Sequence, residues 1–258
     1  MTTQTTDSLL SALGQMLQGS LHTDTVMKTL YATDASAYRE MPLGVAIPET
    51  KEDLEKIIRF ADQQSIPLIP RTAGTSLAGQ VVGKALVVDV SKFFNRILEV
   101  NKAESYVWVE PGVVRDVLNV ELKKHGLFFG PETSTANRAM IGGMVGNNSC
   151  GSNSVVYGST RDHVLEIEGY LSDGTFVHFK EEDPFQTVKS IPQGSRLHGI
   201  YEKILAALSD PKHQKNITEE FPKPSIDRRN TGYAVDMLLH TKAFESTEAP
   251  FNFCALLA

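Results

Sequence analysis

Apolar positions along the chain fall into four stretches of helical spacing, separated by short runs of strand character. Residues Asp7 to Gln18 place Leu9, Leu10, Leu13, Met16 and Leu17 on one side and predict a short amphipathic helix. Thr50 with Asp53 carries a capping-box signature. Leu54, Ile57, Ile58 and Ala61 follow at i, i+3, i+4 and i+7, so a helix to about Gln64 is expected. Val113, Val117, Leu118 and Leu122 predict a third helix ending near His125, with Gly126 as its C′ residue. Ile200, Ile204, Leu205 and Leu208 predict a fourth over His198 to Ser209. Strand character belongs to Leu43 to Ile47, Ile66 to Pro70, Leu86 to Val90 and Tyr106 to Glu110, the last closed by Pro111-Gly112. Val164 to Leu171 and Phe176 to Phe179, joined through Ser172-Asp173-Gly174, read as a hairpin. Leu30 to Arg39 reads as a loop with aromatic anchors, Leu127 to Gly130 as a short extended piece, and Asp210 to Pro224 as a polar surface connection.

Two loops stand out against this pattern. The first, Arg71-Thr72-Ala73-Gly74-Thr75-Ser76-Leu77-Ala78-Gly79-Gln80, joins two apolar runs. Small side chains let backbone N–H groups approach a ligand closely, and glycine tolerates the positive φ that turns successive N–H groups the same way. With three hydroxyls and one arginine, such a loop suits a phosphate or pyrophosphate. A tight turn between two buried strands is the competing reading. The second is Thr133 to Ser159, nearly free of charge and rich in Gly, Ser, Thr and Asn. Exposed loops carry Lys and Glu, and a dry core does not carry so many amides and hydroxyls, because buried polar atoms need partners. A large, polar, planar ligand would supply them. Met140, Ile141, Met144 and Val145 speak against a flexible linker.

A net charge of −6 argues against a nucleic-acid or anionic-membrane surface. No apolar run is long enough to span a bilayer, and Met1 to Asp7 is polar, unlike a secretory signal. Cys150 and Cys254 lie far apart and form no metal pattern, so a reducing cytoplasmic setting is expected, with peripheral membrane association left open. The chain closes on the apolar Phe251-Asn252-Phe253-Cys254-Ala255-Leu256-Leu257-Ala258, which reads as an unprotected end, and a fragment of a longer protein is expected.

Four motifs occur in order: Pro70-Arg71 to Gln80, then Val109-Glu110-Pro111-Gly112, then Ile141-Gly142-Gly143-Met144-Val145-Gly146-Asn147-Asn148-Ser149-Cys150-Gly151, then Tyr157-Gly158-Ser159-Thr160-Arg161-Asp162. In these the chain resembles the FAD-linked oxidases of the vanillyl-alcohol oxidase and p-cresol methylhydroxylase superfamily. It is most similar to the glycolate oxidase, D-lactate dehydrogenase and D-2-hydroxyglutarate dehydrogenase branch. The resemblance covers roughly Asp34 to Ala258. It implies an α+β, two-lobed FAD-binding domain over 46–258, preceded by an N-terminal helix and lead-in segment (1–45). The first lobe would span about 46–98 and the second about 106–258, with FAD extended between them.

Residue by residue, the resemblance implies that the backbone of Arg71, Thr72, Ala73, Gly74, Thr75 and Ser76 cradles the pyrophosphate, with Gly79 and Gln80 near the ribityl chain or ring. Pro131, Glu132, Thr133, Ser134, Thr135, Gly142, Gly143, Asn147, Ser149 and Gly151 would line the middle and ring of the flavin. Val164 and Ile167 would meet the adenine end through their backbone. Ala73-Gly74-Thr75-Ser76 lacks the histidine of covalent relatives, so non-covalent FAD is expected. The implied activity is hydride transfer from a D-2-hydroxy acid to FAD. Electrons would leave to an iron–sulfur domain, a quinone or a flavoprotein, an iron–sulfur cluster lying in a C-terminal domain. The catalytic base, the substrate cap and a His-rich metal segment would lie beyond Ala258, so no catalytic residue or metal ligand is assigned here. A reductase of the UDP-N-acetylenolpyruvoylglucosamine type and a non-catalytic nucleotide-binding module are the alternatives.

Single residues remain open on their chemistry. Arg228, Asn230 and Tyr233, with Arg229, suit a substrate carboxylate, because a guanidinium pairs with it bidentately; a plain surface loop competes. His163 reads as a structural histidine, Cys150 as a buried inert thiol and Trp108 as core.

Overall fold

The computed structural model describes residues 3–223, 225–226, 229, 232–245 and 247–256. It divides into two compact units, Met1–Phe129 with Thr133–Met144, and Gly130–Glu132 with Val145–Ala258. Helices and strands mix in both, in an α+β arrangement.

The first unit holds, in chain order, α1 (Thr3–Gly14), β1 (Ser20–His22), α2 (Thr25–Leu30), β2 (Gly44–Ile47), α3 (Lys51–Gln64), β3 (Leu68–Arg71), β4 (Leu86–Asp89), β5 (Ile97–Asn101), β6 (Tyr106–Val109), α4 (Arg115–Lys123) and the start of α5 (Ile141–Gly146). Its main sheet has the order β1-β2-β4-β3, with β1 antiparallel to β2 and both β2 and β3 parallel to β4. The unbroken apolar run of β4 suits a strand with neighbours on both sides and cover on both faces. Leu10 and Leu13 of α1 and Ile57 and Ala61 of α3 pack with Ala46, Leu86 and Val88 in one core. Residues 1–45 thus contribute a helix and a strand to the same core and sheet as the segments after them. Residues 98–106, expected near the boundary of two lobes, form part of the β5–β6 hairpin inside this unit.

Several local expectations are corrected. The first helix ends at Gly14, and Met16 is 54% exposed. Asp24, whose carboxylate accepts from Met27 N, nucleates α2, an unexpected helix that ends at Leu30, where the expected loop begins. Thr50 caps α3 as expected, but Asp53 does not return the bond of a capping box. Its carboxylate instead accepts from Gln18, Gly19 and Glu49 N–H groups. In α4, Leu118 and Leu122 are buried while Val117 is 59% exposed.

The second unit holds α6 (Ser154–Tyr157), β7 (Ile167–Tyr170), β8 (Phe176–Phe179), β9 (Glu181–Glu182), α7 (Pro184–Ser190), α8 (Arg196–Ser209), α9 (Pro211–Glu220), α10 (Val235–Leu239) and β10 (Phe251–Asn252). The β7–β8 hairpin forms with Gly174 at φ 79 in its turn. The stretch expected as a surface connection is α9, capped by Asp210 and opened by Pro211. The apolar residues near the chain's end are not unprotected: Phe251, Phe253 and Cys254 are buried, and both phenylalanines join Tyr201, Leu208, Leu238 and Leu239 in one core.

Candidate cofactor-binding site

The loop 72–85 leaves the C-terminal end of β3 and re-enters at the N-terminal end of β4. Because the two strands are parallel, this connection has to travel back along the sheet, and the tight-turn reading is overturned. Arg71 ends β3, and its side chain folds back beneath the loop. Its Nη1 donates to Thr33 O at 2.9 Å, and its guanidinium lies over the Tyr31 ring, 5.1 Å from the centroid. Gly74 has φ 65, and a Cβ there would fall 2.5 Å from Arg71 Nη2. Further along, Ser76 Oγ is bonded to the Gln80 side chain and accepts from Ala78 N and Gln80 N, which closes the second half of the loop.

Two of the expected ring-lining glycines meet this region within the first unit. A Cβ on Gly143 would fall 2.7 Å from Thr72 Oγ1, so the start of α5 sits directly against the loop. A Cβ on Gly142 would fall 2.5 Å from Pro111 Cβ, and Gly142 N donates to Pro111 O at 2.8 Å. The Glu110-Pro111-Gly112 turn is itself fixed. Glu110 is buried and accepts from Arg96 N and from the Arg96 guanidinium. Burial raises its pKa, but those bonds outweigh it and hold the carboxyl below its ordinary range. Thr133, Ser134 and Thr135 form the turn whose carbonyls receive Ala136, Arg138 and Ala139 N–H groups. Arg71 to Gln80, Thr133 to Thr135, Gly142 and Gly143 thus all lie in the first unit, with Gly143 directly against Thr72.

Pro131, Glu132, Asn147, Ser149, Gly151, Val164 and Ile167 lie in the other. There the neutral stretch is tied by its own polar groups. Asn153 Nδ2 donates to Glu132 at 2.5 Å, Gly151 N to Ser154 Oγ at 2.8 Å, and Thr160 N and Oγ1 both to Ser149 O. Asn147 is exposed and donates to Ser149 Oγ. Its neighbour Asn148 is 1% exposed with φ 41. Asn148 Oδ1 accepts from Arg161 N at 2.9 Å, and its Nδ2 has no hydrogen-bond partner among the described residues. Sequence reasoning did not single out Asn148. An amide in a charge-poor run was the available signal, but two adjacent asparagines do not reveal which one turns inward. Val164 N is taken by Arg161 O, and Ile167 pairs with Phe179.

A cleft of about 710 Å³ in this unit is lined by Tyr157, Arg161, Arg229, Met237 and His240 among others. Arg229 forms a buried ion pair with Asp236, so this arginine of the expected substrate cluster is held by the fold. Tyr233 is exposed, and Arg228 and Asn230 lie outside the described residues. Cys150 is half-buried and Cys254 buried, and neither is in a disulfide. His163 Nε2 meets Tyr157 O at 2.6 Å, and Trp108 is half-buried on β6. No helix among the described residues is long and apolar enough to cross a membrane.

Residues 42–180, more than half of the chain, match the FAD binding domain family. The chain belongs to this FAD-binding family. It is 36% identical to D-2-hydroxyglutarate dehydrogenase of Pseudomonas putida over 219 residues, which are 84% of this chain and 21% of that protein. It is 34% identical to the mitochondrial D-lactate dehydrogenase (cytochrome) of Kluyveromyces lactis over 163 residues, 62% of this chain and 27% of that protein. The chain thus spans about a fifth to a third of the curated relatives it matches. Its fold is that of 4-ethylphenol oxidase from Gulosibacter chungangensis, with a TM-score of 0.60 at 18% identity over 77% of this chain and 38% of that one. FAD is accordingly the cofactor of the domain, and the residues present fit it. Gly143 adds no side chain of its own beside Thr72, and Asn148 holds a buried N–H donor ready for an acceptor.

Proposed function

We propose that this chain is the FAD-binding portion of a dehydrogenase that oxidises a D-2-hydroxy acid and holds its FAD non-covalently. The observation that carries the reading is the contact of Gly143 with Thr72, which sets the glycine run of α5 against the small-residue loop. It is supported by the likeness to proteins named D-2-hydroxyglutarate and D-lactate dehydrogenase. The backbone N–H groups of Arg71 to Ser76 would bind the pyrophosphate, and Gly79 and Gln80 would lie near the ribityl chain. Pro131 to Thr135, Gly142, Gly143, Asn147, Asn148, Ser149 and Gly151 would line the ring system, and Val164 and Ile167 the adenine.

Bound FAD supplies the hydride acceptor. The chain's own residues bind and orient it. A neutral, small-residue wall excludes water from a flat ring without adding charge, and Asn148 Nδ2 offers an N–H to a ring carbonyl. Arg228, Asn230 and Tyr233 remain the proposed contacts for the substrate carboxylate. An iron–sulfur or quinone-type acceptor fits the greater length of the relatives, which leaves room for further domains. A cytoplasmic setting remains part of the reading, resting on a sequence whose two cysteines lie far apart.

The test is the visible spectrum of the purified chain after incubation with FAD and removal of the excess. A retained flavin band that passes into the supernatant on denaturation is the expected result. A chain that is folded by circular dichroism yet stays colourless would overturn the reading, and flavin that stays with the denatured protein would overturn its non-covalent part.

A further inference from the structure

Residues 31–38 precede the span that matches the family, 42–180, yet they meet the phosphate loop repeatedly. Tyr31 offers its ring to the Arg71 guanidinium, and the carbonyls of Tyr31 and Thr33 accept from Arg71 Nη1 at 3.4 and 2.9 Å. Asp34 lies beside Ser76 and Arg71. Burial raises its pKa, but the hydrogen bond from Ser36, the nearby Ser76 hydroxyl and the charge of Arg71 outweigh that and hold the carboxyl below its ordinary range. The Tyr38 ring packs on Gly79, where a Cβ would fall 2.7 Å from Tyr38 Cδ2. This segment is itself closed. Thr33 bridges Arg39, Glu40 N donates to Ala32 O, and Ala32 is fully buried. It is also anchored on the strand beside Arg71, because Tyr31 OH donates to Asp89 Oδ2 at 2.6 Å and Asp89 pairs with Arg71 across β3 and β4.

We propose that residues 31–38 form a clasp that sets the phosphate loop for FAD, with Tyr31, Asp34 and Tyr38 as positioning residues that act through Arg71 and the loop glycines. Arg71 is the strut of this arrangement, and only its backbone faces the phosphates. The guanidinium is suited to the task because it is flat. One face stacks on Tyr31, its edge reaches two carbonyls, and Gly74 rests on it in the left-handed region, where a side chain would collide. A lysine carries the same charge but no plane. The inference rests on the FAD reading for its ligand, not for its geometry.

The experiment compares the full chain with Arg71→Lys, Arg71→Gln, Tyr31→Phe and Tyr31→Leu. It measures the FAD dissociation constant at low and high salt, and amide hydrogen exchange over residues 72–80 without FAD. A lost bond to a charged group corresponds to about tenfold in affinity. A strut predicts that Arg71→Lys and Arg71→Gln both weaken FAD about tenfold, with the salt dependence of the parent, and that exchange over 72–80 quickens in both. Tyr31→Phe, which keeps the ring, falls between the parent and Tyr31→Leu. Arg71→Lys binding as the parent does, with Arg71→Gln losing both affinity and salt dependence, would make Arg71 a charge ligand and overturn the proposal. So would a folded Tyr31→Leu with unchanged exchange. Should Tyr31→Leu not fold, Arg71→Lys and Tyr31→Phe decide. A parent chain that takes no FAD overturns the function proposed above, while the exchange data still test the clasp.

Discussion

Gly142 and Gly143 are neighbours on one short helix, and their surroundings assign them different penalties for a methyl group. At Gly142 the new carbon would meet Pro111 Cβ at 2.5 Å and the Pro111 backbone at 3.1 Å, atoms that cannot rotate away. At Gly143 it would meet the Thr72 hydroxyl, which belongs to a side chain with a free torsion. Overpacking against rigid neighbours costs about 1–3 kcal/mol. Gly142→Ala is therefore expected to lose about that much stability by urea denaturation. Gly143→Ala is expected to stay near the parent in stability while its FAD affinity falls, and Thr72→Ala added to Gly143→Ala restores part of it. Equal stability losses in the two single variants would refute the distinction. The glycine run was visible in the sequence as a motif, but the reason for each glycine was not. Pro111 and Thr72 are distant in the chain, and only the fold brings them to the same helix. The same holds for Asn147 and Asn148, one exposed and one buried, which no spacing rule separates.

Among the elements, those with an apolar period strong enough to dominate their own sequence were legible: α3, α4, α8 and the β7–β8 hairpin. Those that escaped are short or polar. Strand β1 is three residues long, and α9 is polar along nearly its whole length. Its start was nevertheless written in the chain, since Asp210-Pro211 repeats the Asp183-Pro184 pair that opens α7, an N-cap followed by proline at the first helical position. The start of α3 was read in part. Thr50 caps it, but Asp53 ties the α1–β1 connection and Glu49 to the helix through three backbone N–H groups while fully buried. Burial raises the Asp53 pKa, but those donors, with Lys56, outweigh it and leave the carboxyl below its ordinary range. With the folded value depressed, this stabilisation is complete above the unfolded value, about pH 4, and is lost as the pH falls through the folded one. Asp53→Asn should therefore cost about 2–4 kcal/mol at neutral pH, from donors left unsatisfied, and the gap to the parent should narrow towards about pH 3. Urea midpoints of both proteins across that range check it. A gap that does not change with pH would mean that the carboxylate charge is not what holds the connection.

At the scale of the molecule, the ligand class was legible from the order of four motifs, and the parallel crossover from β3 to β4 was not. The order of motifs is a property of the chain, whereas strand direction is settled by the partner across the sheet. That crossover bears on what the chain binds. A tight turn would have offered a few N–H groups to an isolated phosphate, which is all that a simple nucleotide module needs. A connection that runs back along the sheet, with Gly143 of α5 packed on Thr72, would suit a ligand that continues past its phosphates, as the proposed FAD does. The two readings separate in a thermal-shift comparison of FAD, ADP and riboflavin, which share the pyrophosphate or the ring but not both. A ligand at a hundred times its dissociation constant stabilises the native state by about 2.7 kcal/mol. For a chain of this length that corresponds to a rise of roughly 5–10 °C in Tm. FAD at that excess should give the full rise. ADP and riboflavin at the same concentration should each give less, because each makes only part of the contacts and its dissociation constant lies closer to the concentration used. An ADP shift as large as that of FAD, with none from riboflavin, would mean that the neutral stretch from Thr133 to Ser159 meets no ring. The chain would then be a phosphate-binding module, however closely its sequence follows the flavin dehydrogenases.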